Sequence, residues 1–105
     1  MKITIAFAAT TFAAVALATA PAAFADPEDD FLALIAKGGI TWPSEKTAQV
    51  IETGKAVCGD FARGASFEQE VTDLTSATSW SDDRAGYFIG AATAAFCPEY
   101  GDKVT

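Results

Sequence analysis

The chain has 105 residues, of which 7 are basic, 14 are acidic and none is histidine, giving a formal net charge of −7. Because histidine is absent, Ser-His-Asp and Cys-His catalytic arrangements are excluded, and so is a zinc site that needs histidine ligands. The negative charge disfavours binding to polyphosphate and to anionic lipid headgroups, which argues against nucleic acid and membrane surfaces as partners.

Residues 1–25 have the pattern of a cleavable secretory signal peptide. Lys2 supplies a positive start, residues 3–18 carry no charge, and Pro21 precedes an Ala23–Ala25 segment with small residues at the −3 and −1 positions. An uncleaved anchor is the alternative, because 23 uncharged residues can span a bilayer of ~30 Å. The proline and the alanine-rich end favour cleavage.

Cleavage before Asp26 leaves one domain, residues 26–105, with 6 basic and 14 acidic side chains and a net charge of −8. We therefore expect export to the cell envelope or the medium, without stable membrane insertion after cleavage. A domain of this size buries about 60 to 65% of its unfolded surface, so its hydrophobic core alone gives marginal stability.

The first predicted helix begins after Asp26, a favoured N-cap residue, with Pro27 at its first position and acidic residues in its first turn. It ends at Gly38-Gly39, and Ile40 is placed to make the hydrophobic contact of a C-cap. One face is apolar at helical spacing, with Phe31, Leu32, Leu34 and Ile35.

The second predicted helix covers about residues 44–63, and Gly64 is its stop signal. It follows a turn, because Pro43 disfavours helical geometry at Trp42. Its amphipathic stripe comprises Thr47, Val50, Ile51, Gly54, Val57, Cys58 and Phe61.

The third predicted helix is short, and Ser66 with Gln69 fits a capping box at its start. Its apolar positions are Phe67, Val71 and Leu74. The Ser- and Thr-rich residues 75–80 are predicted to form a loop.

The last predicted helix is capped by Ser81 and ended by Pro98, and residues 101–105 are predicted to fray. Asp82 and Asp83 complement the dipole in its first turn. Its inward face comprises Ala85, Phe88, Ile89, Ala92 and Phe96.

Cys58 and Cys97 are the two cysteines of the chain, 39 positions apart. An exported protein meets an oxidising compartment, and two cysteines allow one pairing. The loop-entropy model gives such a bond about 3 to 4 kcal/mol of stabilisation. A zinc site or a catalytic thiol is the alternative for the pair, but zinc normally takes four ligands and the chain has no histidine to supply the others. We predict a Cys58–Cys97 disulfide.

These elements predict an all-α fold, a small four-helix bundle-like domain with one disulfide, preceded by the signal peptide. Short loops make chain neighbours antiparallel, so the second and fourth helices run parallel and the disulfide joins their C-terminal ends. Gly54 is then expected to face the stretch around Gly90 and Thr93. Gly86 and Gly90 are expected to let the two backbones approach closely.

Five sequence elements carry a resemblance to known proteins: Asp30-Phe31-Leu32-Ala33-Leu34, Gly39-Ile40, Gly54-Lys55-Ala56-Val57-Cys58, Ala91-Ala92 and Phe96-Cys97-Pro98. Over about residues 26–99 the chain resembles the small secreted actinobacterial, largely mycobacterial, proteins of domain-of-unknown-function family 732. The resemblance implies an exported helical domain with one disulfide, in the cell envelope or the medium. It transfers no catalytic or binding residue. Tyrosine often precedes the second cysteine in that family, whereas this chain has Phe96.

Catalytic chemistry has little support in the sequence. Carboxylate pairs occur at Asp29/Asp30, Glu68/Glu70 and Asp82/Asp83. Acidic residues at helix starts are expected from the helix dipole alone, and a small helical bundle seldom offers the cleft that glycoside hydrolysis needs. We therefore predict no enzymatic activity, no catalytic residue, no cofactor and no metal site.

Four aromatic residues are candidates for binding a partner, because aromatic side chains are favoured at interfaces. Trp42 and Trp80 lie in predicted loops, and Tyr87 and Tyr100 flank the last helix. The alternative is that each of them covers an end of the core. The first hypothesis is a non-enzymatic interaction module for an unknown envelope protein, with the two tryptophans in one patch.

The second hypothesis is a carrier of an apolar small molecule, a lipid or haem, held between the helices. Haem iron would need Tyr87 or Tyr100 as its ligand, because histidine is absent and Met1 leaves with the signal peptide.

Overall fold

The computed structural model describes residues 26–104, and the fold of this part is entirely helical. Its four α-helices are α1 (Pro27–Lys37), α2 (Thr47–Ala62), α3 (Phe67–Ala77) and α4 (Asp82–Phe96). Two 3-10 segments flank them, Ser44–Lys46 before α2 and Pro98–Val104 after α4. The predicted all-α fold is confirmed over these residues. The predicted signal peptide, residues 1–25, lies outside them and stays a prediction.

Three of the four described α-helices begin at the predicted capping side chains, whereas α2 begins at Thr47, after the 3-10 segment Ser44–Lys46, without a side-chain cap. Asp26, Ser66 and Ser81 each accept a hydrogen bond from a backbone N–H in the first turn of α1, α3 and α4, at 3.0 to 3.1 Å. Each bond satisfies a donor that the helix itself leaves without a partner.

Two helices end in the same glycine-dependent turn. Gly39 after α1 and Gly64 after α2 have φ of 86° and 99°, a conformation that favours glycine. The next residue in each turn, Ile40 or Ala65, donates its backbone N–H to the carbonyl five residues earlier at 3.0 Å. Ile40 is buried in the core, which confirms the predicted hydrophobic contact.

Helix α4 is the centre of the fold, because it packs against α1, α2, α3 and the C-terminal 3-10 segment. The Phe31 ring of α1 is fully buried against it, with ring centroids 5.2 Å from Phe88 and 5.1 Å from Phe96. The buried hydrophobic cluster comprises Phe31, Ile35, Ile40, Val57, Phe61, Phe88, Ile89, Ala91 and Ala92. No helix within residues 26–104 has the length and apolar character needed to cross a membrane.

The predicted disulfide is confirmed between Cys58 in α2 and Cys97 at the end of α4, with their Cα atoms 6.0 Å apart. It joins the C-terminal halves of the two helices. Val50, near the start of α2, lines the same surface cavity as Phe88 in the first half of α4. Helices α2 and α4 therefore run parallel, as predicted.

The two predicted irregular segments are more ordered than the sequence indicates. Helix α3 continues to Ala77, so the loop predicted over residues 75–80 is shorter. The predicted fraying after Gly101 is wrong up to residue 104, because tertiary contacts hold this segment. Lys103 donates to the Ala65 carbonyl at 2.9 Å and lies 5.3 Å from the Phe61 ring centroid.

The predicted close approach of two backbones at Gly54 and Gly90 is wrong. A Cβ atom at Gly54 would lie 2.7 Å from Cζ of Phe31, whereas one at Gly90 would meet nothing within 4 Å. Gly86 faces the ring of Phe67, at 3.3 Å from an added Cβ. Gly54 therefore makes room for an aromatic ring of α1. The group that packs against it is the Phe31 side chain and not the backbone of α4.

Removing the disulfide should destabilise the fold without changing it. The double variant C58A/C97A is expected to lose about 3 to 4 kcal/mol of unfolding free energy, because the closed loop restricts the unfolded chain. Urea denaturation of the variant and of oxidised and reduced wild type measures this loss. The reduced wild type should match the variant, and a variant as stable as the oxidised protein would contradict the assignment.

Adding one methyl group at Gly54 should destabilise the fold, because the Phe31 ring occupies the space that the methyl group would need. The Phe31 ring is fully buried and cannot move away, so G54A is expected to lose about 1 to 3 kcal/mol through overpacking. G59A is the matched control in the same helix, since an added Cβ meets only the flexible Arg63 side chain at 3.6 Å. It should gain about 0.5 to 1 kcal/mol. Equal urea stabilities of the two variants would refute this account of Gly54.

Candidate functional site

The two tryptophans are half-buried and occupy different positions against the core. Trp42 lies between α1 and α2, and its indole N–H donates to Oγ1 of Thr47 at 3.0 Å. Trp80 lies just before α4, with its ring centroid 5.4 Å from that of Phe88. Both pack against the hydrophobic cluster, and in the part of the chain described, residues 26–104, no ring contact joins them.

The two tyrosines lie on different helix seams. Tyr87 is 41% exposed, and its hydroxyl donates to the Leu34 carbonyl of α1 at 2.7 Å. Its ring covers Gly38, where an added Cβ would lie 2.2 Å from Cε2 of Tyr87. Tyr100 is half-buried in the C-terminal 3-10 segment, with its ring centroid 6.0 Å from that of Phe61. No ring contact joins any two of the four aromatic candidates within residues 26–104, so a patch formed by the two tryptophans stays a prediction.

An open groove runs between α1 and α4 beside Tyr87. It has a volume of about 620 Å³. The residues that line it are Pro27, Asp30, Ala33, Leu34, Lys37, Ala94, Ala95 and Pro98. Leu34 also accepts the Tyr87 hydrogen bond, so Tyr87 lies next to one of the residues that line the groove. We call this surface the α1–α4 groove.

A second candidate site is a group of three carboxylates, Asp60 of α2 with Glu70 and Asp73 of α3. Ligand oxygens from the three side chains all lie within 4.8 Å of one another. They border a cavity of about 280 Å³ that is open to solvent. We call this group the carboxylate cluster.

Local structure explains why these acids meet. The turn at Gly64 reverses the chain after α2, and the Ser66 cap starts α3 two residues later. Helix α3 therefore returns along α2 and places Glu70 opposite Asp60. Asp73 is three residues after Glu70 and so lies on the same helix face.

Glu70 is the unusual member of the carboxylate cluster. It is only 5% exposed, and within residues 26–104 its Oε2 atom has no hydrogen-bond partner. Ionised carboxylates accept but do not donate, so the neighbouring Asp60 and Asp73 cannot supply a donor when charged. Burial, a hydrogen bond shared with Asp60 and repulsion from both aspartates raise the pKa of Glu70 to about 7, although Arg63 opposes this.

The arrangement has two chemical capabilities. At low pH, a proton shared between Glu70 and Asp60 relieves their repulsion. At higher pH, the three side chains offer oxygen ligands of the type that hard cations prefer. Arg63 forms an ion pair with Asp60 at the rim, and its side chain is 73% exposed.

Sequence reasoning missed this cluster because its members are distributed over two helices. In the sequence, Glu70 stands out only as the partner of Glu68 in a carboxylate pair, and neither Asp60 nor Asp73 belongs to such a pair. One signal was present in the sequence. Glu70 falls on the same helical stripe as Phe67, Val71 and Leu74, and an acidic residue on an apolar stripe is unusual.

The raised pKa of Glu70 predicts that the protein becomes less stable as pH rises. The folded state binds this proton more tightly than the unfolded state, whose ordinary pKa is 4.5. The stability that this tighter proton binding contributes to the folded state is therefore fully present below about pH 4.5 and is lost as pH rises through about 7. Thermal melts with a chelator present should give a Tm several degrees lower at pH 8 than at pH 5.

The variant E70Q should remove most of this pH dependence, because glutamine resembles the protonated acid. E68Q is the matched control, since Glu68 is exposed on the same helix and loses the same charge. The pKa of Asp29 is also raised, chiefly by a hydrogen bond with Asp26, so only the comparison with E70Q isolates Glu70. An E70Q profile that parallels the wild type would contradict the assignment.

Comparison with known proteins identifies relatives without an assigned activity. An uncharacterized protein of Mycobacterium tuberculosis (strain H37Rv) is 32% identical over 91 residues, covering 86% of this chain and 79% of the relative. An uncharacterized protein of Mycobacterium bovis is 36% identical over 93 residues, covering 88% of this chain and 82% of the relative. No solved structure matches the chain. The family described as "Protein of unknown function (DUF732)" matches residues 27–99, and the chain belongs to it.

Proposed function

We propose that the protein is exported to the cell envelope or the medium and acts there as a non-enzymatic interaction module. The observation that carries the proposal is the α1–α4 groove, which presents small and apolar side chains beside an exposed tyrosine. Surfaces with an apolar centre and an aromatic residue at the edge are typical of protein interfaces.

The chemistry of the groove favours a particular kind of partner. Ala33, Leu34 and Ala95 offer shallow apolar contacts, which suit the apolar side chains of a peptide segment. Asp30 and Lys37 both line the groove, and their separation of seven residues along α1 corresponds to about 10 Å. Opposite charges at this spacing would orient a bound segment. The net charge of −8 for residues 26–105 favours a partner segment that is basic overall.

The carrier hypothesis has weaker geometric support. Within residues 26–104, two mainly apolar cavities between helices have volumes of about 210 and 200 Å³. A third cavity, between α3 and the start of α4, has about 440 Å³, but it is open to solvent and includes the acidic side chains Glu68, Asp82 and Asp83. Small-molecule pockets usually have at least ~300 Å³ and enclose most of the ligand. The α1–α4 groove is larger but open, so a small molecule there would remain largely in contact with water. The Tyr87 hydroxyl, a candidate haem ligand, already donates to Leu34.

The experiment uses an exposed groove residue, because replacing Trp42 or Trp80 would also disturb the core. The bait is the protein purified from culture medium, whose intact mass also tests cleavage before Asp26. Envelope extract of the encoding organism is passed over wild type, A33E and A48E, and bound proteins are quantified by mass spectrometry. Ala33 lines the groove, and Ala48 is an exposed residue of α2 that serves as the matched control.

We expect one or more basic proteins to bind wild type and A48E, and A33E to recover at least about tenfold less of them, a loss of ~1.4 kcal/mol. The charged side chain would be buried against an apolar partner surface without compensation. Equal recovery by A33E would contradict the groove as the binding surface. Secreted protein that retains residues 1–25 would contradict the proposed processing.

A further inference from the structure

In the folded protein, the carboxylate cluster brings three acidic side chains together, and one of them is buried. Glu70 is only 5% exposed, and its Oε2 atom has no hydrogen-bond partner in the part of the chain that the structure describes. Asp60 and Asp73 bring two further carboxylates to within 4.8 Å. An ionised buried carboxylate needs a donor or a positive charge beside it. The cluster thus combines carboxylate oxygens of the kind that bind cations with a buried carboxyl group, one oxygen of which has no hydrogen-bond partner among residues 26–104.

The geometry of the cluster fits a hard divalent cation. Oxygen ligands of Ca²⁺ lie at about 2.3 to 2.6 Å, so two ligands on opposite sides of the ion are about 5 Å apart. The observed limit of 4.8 Å between the three ligand oxygens is within that span. Ca²⁺ also accepts irregular coordination, and the open cavity of about 280 Å³ admits the water molecules that would complete it.

We propose that the carboxylate cluster is a Ca²⁺-binding site in which Asp60, Glu70 and Asp73 are the protein ligands. Oε2 of Glu70 supplies the buried ligand, and the two aspartates close the site toward solvent. Gln69 lines the same cavity and adds a further amide oxygen within its reach. This departs from the sequence prediction of no metal site, and it is independent of the α1–α4 groove.

Arg63 determines how tightly the ion is held. Its guanidinium pairs with Asp60, so it competes with the cation for one ligand. Because the Arg63 side chain is 73% exposed, it moves into solvent at little cost when the ion enters. Competition of this kind and a site open to water indicate weak affinity, with a Kd of about 10⁻⁴ to 10⁻³ M, the range of extracellular calcium modules.

The bound ion would connect α2 to α3, a pair of helices that the disulfide does not join. Cys58–Cys97 joins α2 to α4, whereas Asp60 and Glu70 belong to α2 and α3.

The test is calorimetric titration of the chelator-treated protein with CaCl₂ up to about 10 mM at pH 8, followed by thermal melts with and without Ca²⁺. Wild type and E68Q should bind one ion and gain roughly 5 to 10 °C in Tm at a concentration ten times Kd. E70Q should bind at least about tenfold more weakly, a loss of ~1.4 kcal/mol. It keeps the shape of the protonated acid, so its apo form should fold normally.

A third variant separates a built site from general attraction to an acidic protein. R63Q removes the competing charge and should bind Ca²⁺ more tightly than wild type, with an unchanged stoichiometry. Absence of Ca²⁺ binding by wild type would overturn the proposal. Equal binding by wild type and E70Q would also overturn it, because the ion would then be held by dispersed surface charge.

Discussion

The burial of the Phe31 ring is the interaction on which the rest of the structure depends. This side chain of α1 contacts Phe88 and Phe96 of α4 and fills the space that Gly54 leaves open on α2. Three helices therefore contact one ring, and the packing around this ring fixes their relative positions. The disulfide then holds α2 and α4 at a second point, near their C-terminal ends. A small core gains more from fixing three elements at once than from separate pairwise contacts.

Two surfaces result from this arrangement, and they lie on different seams of the fold. The α1–α4 groove is lined by small and apolar residues, because α1 and α4 both carry alanines where they diverge. The carboxylate cluster lies between α2 and α3, where the Gly64 turn brings acidic residues together. Their chemistry is also different, since the first suits a peptide segment and the second suits a proton or a hard cation. No residue lines both of these proposed sites.

The placement of the aromatic residues shows how a small domain uses its large side chains. Trp42, Trp80 and Tyr100 pack against the hydrophobic cluster and extend a core that is otherwise built from few residues. Tyr87 combines two roles, because its ring covers Gly38 and its hydroxyl bonds to α1 while 41% of the residue remains exposed. Aromatic composition alone therefore does not show which of these side chains are packed and which are exposed in this protein.

The sequence by itself determined the helices, their caps and the disulfide, because these depend on neighbouring residues or on the only available pairing. Asp26, Ser66 and Ser81 cap their helices through bonds to residues two or three positions away, and Gly39 and Gly64 end theirs within one turn. Only the tertiary structure decided what Gly54 faces, how the C-terminal segment is held, and that Glu70 meets Asp60. Each of these depends on side chains from other helices or segments. Contacts of this kind join residues at no fixed separation along the chain, whereas a helix cap joins residues two or three positions apart.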